Sequence, residues 1–219
     1  MSKLVWDQIG ERFYEAGVQK GVLYLRGADG KYTKGVAWNG LISVSKNPSG
    51  GEATPFYAND TKYLNLTSAE EFGATIGAYT YPPEFNACMG IKELVPGVVI
   101  GQQERATFGF CYRTAIGNDV DGTSHAYKIH LVYGCLAAPS EEEATTINES
   151  PEPTEFSWEI TTTPVEVEGF KPTSILEVDS RTTSAEKLAA LEALLYGSED
   201  AEATLPLPGE IKALVGAAA

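Results

Sequence analysis

Apolar and polar positions alternate with a period of two along most of this chain, a pattern that predicts β-strands rather than helices. Lys20 to Arg26 reads as a short apolar strand closed by the turn Ala28-Asp29-Gly30. Trp38 to Ser45 reads as a second strand, ended by the turn formers Asn47-Pro48-Ser49-Gly50-Gly51. Lys62 to Thr67 and Ala74 to Tyr81 are two more, flanking Ser68 to Glu71, which suits either a wide hairpin turn or one helical turn. Pro82 and Pro83 stop the second of these, and Glu84 to Met89 suits a short helix with Pro83 near its first position. Thr107 to Thr114 sets Phe108, Phe110 and Tyr112 against Thr107, Gly109, Cys111 and Arg113. His125 to Leu136 sets Tyr127, Ile129, Leu131 and Tyr133 against Lys128 and His130, and the polar turn formers of Gly117 to Gly122 lie between the two strands. Glu155 to Thr163 places Phe156, Trp158 and Ile160 opposite Glu155, Ser157 and Glu159, the mark of a strand with one wet, acidic face. Val165 and Val167 against Glu166 and Glu168 continue that alternation after Pro164.

One stretch departs from the period of two. Thr183 or Ser184 can cap a helix from Ala185 to Tyr196, with Gly197 just past its end and Leu188, Leu191 and Leu195 forming a single apolar stripe. Beyond it Ser198 to Glu202 is polar, and prolines hold Leu205-Pro-Leu-Pro-Gly209 extended. Leu205, Leu207, Ile211, Leu214 and Val215 then lie on a tail too short to hold a core, so the tail is expected to dock, on its own body or on a neighbour. No internal repeat or long linker divides the chain. Pro139 to Pro153, with its Glu141 to Glu143 run, reads as an exposed loop inside one domain, giving a β domain over 1–197 and an arm over 198–219.

Composition narrows the class. The 219 residues suffice for one good core or two small ones. Apolar runs fall far short of the ~18 residues that cross a bilayer. Asp7 interrupts the place where a signal peptide needs its apolar centre, and no lipidation signal is visible, so a soluble protein made in the cytoplasm is expected. Cys88, Cys111 and Cys135, an odd number at spacings of 23 and 24, suggest buried free thiols rather than a disulfide framework or a zinc site. The net charge of −14 is unevenly spread. Residues 1–131 hold 12 Lys/Arg against 13 Asp/Glu, and residues 132–219 hold 4 against 17. Such a chain repels phosphate backbones, which speaks against tight nucleic-acid binding and suits a channel through which DNA must slide.

No constellation of catalytic or metal-binding type emerges. His125 and His130, five apart on one strand, point to opposite faces. Asn118 to Gly122 has two acids at calcium-loop spacing, but Gly117 and Lys128 stand where that loop needs acids, so turn chemistry explains it. There is no Gly-x-Ser-x-Gly elbow, and Leu25 and Tyr32 spoil any phosphate loop around Gly30-Lys31. No cofactor, no catalytic residue and no metal ligand are expected, and the chain reads as a non-enzyme.

Several stretches, in order, resemble the major tail-tube proteins of long-tailed, non-contractile bacteriophages (siphophages). They are Gly21 to Tyr24, Lys34 to Leu41, Tyr79 to Phe85, Phe108 to Thr114 with Ile116 to Asp119, Tyr127 to Gly134, Phe156 to Pro164, Gly169 to Ser174, and the helix ending Leu195-Tyr-Gly197. The resemblance spans roughly residues 10–200 and is weakest after Gly197. It implies an antiparallel β-sandwich or flattened barrel with a flanking C-terminal α-helix and extended loops or arms. It also implies hexameric rings, stacked by loops and terminal arms into a virion tube assembled in the host cytoplasm. The partners implied are further copies of the chain, the tape-measure, distal-tail and tail-terminator proteins, and DNA in transit, with no membrane.

On this reading Glu155 and Glu159 are candidates for an acidic lumen wall, and the long loop Asn47 to Asp60 and the hairpin around Ser68 are natural ring-to-ring contacts. Candidate stacking residues are Phe56, Tyr57, Glu70, Phe72, Leu205, Leu207, Ile211 and Leu214. Removing residues 198–219 is expected to weaken tube formation more than folding. The competing class is a monomeric β-sandwich binding module of carbohydrate or adhesin type, which needs an exposed aromatic platform and no apolar tail; a hydrolase hidden on the same fold would need convergent histidines and acids.

Overall fold

The computed structural model describes residues 3–147, 149 and 152–216. In chain order its strands are β1 (Tyr14–Arg26), β2 (Tyr32–Trp38), β3 (Leu41–Lys46), β4 (Ser49–Gly50), β5 (Ala53–Ala58), β6 (Thr61–Thr67), β7 (Glu70–Glu71) and β8 (Gly73–Ala78). A 3₁₀ turn (Pro83–Phe85) and α1 (Asn86–Met89) follow, then β9 (Lys92–Val95), β10 (Val98–Ile100), β11 (Phe108–Asn118), β12 (Gly122–Ala137), β13 (Phe156–Thr162) and β14 (Ile175–Asp179). Helices α2 (Ala185–Tyr196) and α3 (Pro208–Gly216) come last. Between β12 and β13, the described part of the acidic connection has neither strand nor helix, and 148, 150 and 151 lie outside the described residues.

Eight strands form one antiparallel sheet in the order β2-β1-β11-β12-β13-β8-β3, with β14 added to β12. The sheet curls until β3 lies against β1, close enough that a Cβ on Gly21 would stand 3.0 Å from Leu41 Cδ2. The result is a flattened barrel with flanking helices, as the alternation and the resemblance imply. Its corner is Gly134. There β12 leaves β14, which it pairs with from Lys128 to Val132, and joins β13 from Cys135 to Ala137. Gly134 has φ +61, and a Cβ on it would stand 2.1 Å from the Thr163 carbonyl oxygen, so only glycine fits. The bulge also reverses the side-chain faces. Ile129, Leu131 and Tyr133 point outward beneath the helices, whereas Cys135 and Ala137 point into the barrel.

Two cores therefore lie on opposite faces of the sheet. Inside the barrel, Trp38, Phe85, Phe108, Phe110 and Trp158 pack ring on ring, with Trp38 to Phe85 at 4.6 Å and Phe85 to Trp158 at 5.1 Å. The 3₁₀ turn and α1 plug that end through Phe85, Cys88 and Met89. Outside, Leu188, Leu191 and Leu195 of α2 cover Tyr24, Ile129, Leu131 and Tyr133, and the Tyr24 hydroxyl donates to the Leu195 carbonyl at 2.6 Å. The three cysteines are free and buried, one of them (Cys111) in the outer core and the others in the barrel. Burial pushes the Cys88 thiol up to about 12.

Four expectations need correction. Trp38 to Ser45 is not one strand: the chain turns at Asn39-Gly40, so Trp38 ends β2 and β3 starts afresh. Asn47 to Asp60 is not a loop, and Ser68 is not a hairpin tip. Residues 41–78 form one long interrupted hairpin in which β3 pairs β8, β4 pairs β7 and β5 pairs β6. Its tip is Asn59-Asp60, both at positive φ, the handedness a tight hairpin needs. Val165 to Glu168 keep their alternation of burial but make only a single bridge, Val165 to Thr173.

The tail holds the largest surprise. Its end is a helix, α3, which starts at Pro208 and is closed by the Glu210 carboxylate accepting the Leu207 N–H at 2.8 Å. The tail docks on its own body. Leu205 N–H donates to the Tyr32 carbonyl and Gly35 N–H to the Ala203 carbonyl, so residues 203–205 cover the outer edge of β2. Leu205 and Ile211 are 2% and 3% exposed within the outer core.

Candidate functional site

The polar and apolar surfaces of the barrel are sharply divided. On the outside of β3, β8 and β13, every second residue is glycine, a hydroxyl residue or an acid: Ser43 and Ser45, then Gly73, Thr75 and Gly77, then Ser157, Glu159 and Thr161. The alternating partners Val44, Ile76, Trp158 and Ile160 face the barrel core. This half of the sheet thus presents a smooth wall of glycines and hydroxyls, with charge entering through Glu159 and, at the start of the strand, Glu155. Both carboxylates are exposed, as the alternation implies.

Apolar side chains are displayed elsewhere, on projections that have no core of their own. Every residue of β5 and β6 is exposed. Phe56 and Leu64 are cross-strand partners on one face, continued by Leu66, and Tyr57 and Tyr63 stand nearer the tip at 69% and 74% exposure. A second hairpin, β9 with β10, exposes Leu94, Val95, Val98, Val99 and Ile100 around the turn Pro96-Gly97. Apolar clusters of this kind on a folded chain mark surfaces that a partner covers. No sequence expectation covers 92–100, although Pro96-Gly97 followed by the β-branched run Val98-Val99-Ile100 is a turn-and-strand signal.

The candidate stacking residues separate into three groups. Phe56, Tyr57 and Glu70 are exposed on the long hairpin. Phe72 turns inward and packs against the barrel core. Leu205 and Ile211 are consumed by the outer core, with Leu207 and Leu214 packed against it, so their apolar surface serves the fold of their own chain.

A polar cluster ties the root of the long hairpin to the sheet. Lys46, the last residue of β3, bonds to Glu177, which lies opposite His130 on β14. The His130 ring stacks on Tyr112 at 4.4 Å; its Nε2 lies 2.9 Å from the Thr114 hydroxyl and its Nδ1 3.2 Å from Glu177. Burial, with help from the Lys46 ammonium, pushes His130 down to about 4, so the ring is neutral near pH 7. Burial pushes the Glu177 carboxyl up, but the Lys46 hydrogen bond and the nearby positive charges outweigh this and hold it below the usual range. Lys128 bridges from Glu177 to Glu15. His125 lies apart, 3.0 Å from Asp121 and against Asn118 in the β11–β12 turn. The two histidines are thus held in separate cradles. Among the described residues no group of three or more His, Cys, Asp or Glu could hold a metal ion, and no helix is long and apolar enough to cross a membrane.

No protein-family model matches the chain, and no curated protein matches its sequence. Solved structures similar in fold include a chain of the sheath–tube complex of the PVC extracellular contractile injection system in its extended state, at 9% identity and TM-score 0.36, over 80% of this chain and 93% of that one. Another is from the sheath/tube terminator of the same system, at 9% identity and TM-score 0.37, over 80% and 99%. A third is from the baseplate of the anti-feeding prophage, at 8% identity and TM-score 0.39, over 80% and 97%. Folds at this distance host unrelated functions, and the functional reading below rests on the chain's own residues and surfaces.

Proposed function

We propose that this chain is a structural subunit of a phage-type tail tube, in which copies form hexameric rings that stack around a channel for DNA. The observation that carries the reading is the division of its surface. One half-barrel wall is smooth, hydroxyl-rich and acidic, while two projecting hairpins and residues 4–9 carry many of the exposed apolar side chains. A wall without basic or bulky side chains lets a polyanion slide without gripping it. Projections that cannot bury their own apolar residues are stable when neighbours cover them. The resemblance of residues 10–200 to siphophage tail-tube proteins supports the same reading, as does the charge of −14.

In this reading Glu155 and Glu159 face the lumen, and Phe56, Tyr57 and Glu70 belong to the ring-to-ring contact. The tape-measure, distal-tail and terminator proteins are the partners at the lumen and the two tube ends. DNA passes without tight binding, no reaction is catalysed, and the mature location is the virion tail after assembly in the host cytoplasm.

A monomeric binding module is the competing reading, favoured by the exposed pair Tyr57 and Tyr63, which could stack on a sugar. Negative-stain electron microscopy of the purified chain at high concentration separates the two. Rings or tubes ~100 Å across, the scale of six such domains, are expected; dispersed single particles at every concentration would overturn the tube reading.

A further inference from the structure

Along β11 the barrel-facing side chains run from Phe108 and Phe110 to Tyr112 and then Thr114, and their neighbours on β12 include His130 and Lys128. The aromatic core thus gives way to a polar end. There β3 finishes at Lys46 and the long hairpin leaves the body. The two strands of its root are anchored by different means. On the returning strand, Phe72 packs against the barrel core, and its carbonyl accepts from the Thr162 hydroxyl at 2.6 Å. On the outgoing strand, Asn47 bonds back to Gly73 and Thr75 beside it, while Lys46 reaches across to His130 of β12 and Glu177 of β14. Residues 49–71 are all exposed, so the root sets the direction in which the hairpin projects.

The atoms around His130 Nδ1 set up a competition. Lys46 Nζ lies 3.3 Å from Nδ1 and also bonds Glu177 Oε1, and that same Oε1 lies 3.2 Å from Nδ1. A neutral Nδ1 accepts a hydrogen bond from an ammonium and gives none to a carboxylate. The ring proton therefore belongs on Nε2, which donates to the Thr114 hydroxyl at 2.9 Å. In this state Lys46 donates both to Nδ1 and to Glu177. A proton added at Nδ1 turns that acceptor into a donor facing Oε1, and it sets a positive ring beside the ammonium. Two cationic donors then compete for one oxygen. The ring is 2% exposed and stacked on Tyr112, whereas Lys46 is half-exposed on a flexible stem, so Lys46 is the partner displaced. The remaining charges do not restore its bond. Lys128 lies 3.8 Å from Glu177 Oε2 and is held by Glu15, and Asp179 is paired with Arg181.

We propose that His130 and Lys46 form a proton-operated latch on the long hairpin: with a neutral ring Lys46 ties the hairpin root to β12 and β14, and a proton on Nδ1 gives Glu177 Oε1 to the ring and frees the root. Phe72 and Asn47 keep the freed hairpin attached while it gains room to swing. The latch opens near pH 4, where burial, together with the Lys46 charge, places the titration of the ring. Glu177, despite its burial, is held below the usual carboxylate range by the Lys46 bond and keeps its charge longer than an ordinary carboxylate. The device operates within one chain, whether or not copies assemble.

The test uses the full-length chain with a dye on Lys62→Cys in the exposed strand β6, the three native thiols being buried. Time-resolved anisotropy follows the hairpin as the pH is lowered from 7 to below 4, and near-ultraviolet circular dichroism follows the aromatic core. The fast component of the decay should grow several-fold through a midpoint near 4, with the core signal unchanged. In Lys46→Met it should already be large at pH 7 and respond little to acid, and in His130→Gln the step near 4 should vanish. Lys46→Met, at a part-exposed site, carries the test if the buried His130→Gln fails to fold. A hairpin as steady in acid as at pH 7, or one that loosens only as the core signal is lost, would overturn the proposal. So would coincident pH curves for Lys46→Met and the unsubstituted chain, or a neutral ring whose proton nitrogen-15 NMR places on Nδ1.

Discussion

Deleting residues 204–219 should unfold the body of this protein, not merely stop it from polymerising. Leu205 is 2% exposed and sits so close to the sheet that a Cβ on Gly109 would stand 2.4 Å from Leu205 Cδ2. Truncating a leucine buried to this degree costs roughly 2.7–5 kcal/mol, because the cavity left behind only partly closes. Ile211, 3% exposed on α3, adds about 2–5 kcal/mol on the same grounds. The deletion also removes the Pro206 carbonyl that accepts the buried Tyr133 hydroxyl at 2.9 Å, leaving an orphaned donor at a cost of about 1–3 kcal/mol. The total, about 6 kcal/mol or more, is of the order of the whole stability of a typical domain, about 5–15 kcal/mol. It comes with an uncovered β2 edge that invites aggregation. Thermal and urea unfolding, followed by near-ultraviolet circular dichroism, measure the effect on the chain ending at Ala203 and on Leu205→Ala alone. The point variant should melt roughly 6–20 °C lower. If the shortened chain melts within a few degrees of the full one yet fails to form tubes, the tail belongs to the neighbour's surface and the packing argument is wrong.

Other perturbations probe other parts of the molecule. Gly134→Ala places a Cβ at a left-handed φ and 2.1 Å from the Thr163 oxygen, and should cost about 3 kcal/mol or more; an unchanged denaturation midpoint would refute the corner assignment. His130 is held near 4 in the folded chain against about 6.5 unfolded. Between those values only the unfolded chain binds the proton, so stability should fall by up to about 3 kcal/mol as pH drops from 6.5 to 4. Urea midpoints at several pH values should show a shallower slope for His130→Gln, and parallel slopes would sink this. Tyr63→Glu with Leu66→Glu alters only exposed positions of β6 and should leave the melting temperature within about 2 °C. The same pair should abolish tubes in electron micrographs, and intact tubes would remove the long hairpin from the assembly contact.

Local regularities were legible in the residues alone. Helix α2 runs from Ala185 to Tyr196, as its leucine spacing predicts, and β13 shows the wet face that Ser157 and Glu159 foretell. The flattened barrel follows from alternation together with the family resemblance. Alternation reports which residues share a face, but not what lies against that face. For β11 and β12 both faces are buried, one by the barrel's aromatic core and one by α2 and α3, so alternation sets Lys128 and His130 apart from their neighbours without telling that His130 is enclosed.

The tail shows the same limit most clearly. Pro208 and Glu210 carry a helix-start signal, yet five apolar residues on a short segment state only that it docks. Whether it docks on its own chain depends on contacts with distant parts of the chain, Leu205 on Tyr32 and Gly109, and Tyr133 on Pro206. Likewise Asn59 and Asp60 are turn formers on sight. That they are the tip of a hairpin running from Leu41 to Ala78 depends on pairings across many residues. The sequence by itself determined the strand faces, the α2 helix and the charge imbalance, because these depend on neighbours a few residues apart. Tertiary structure alone decided which apolar residues the fold consumes and which it leaves on its projections, because burial is a competition among distant segments for one limited surface.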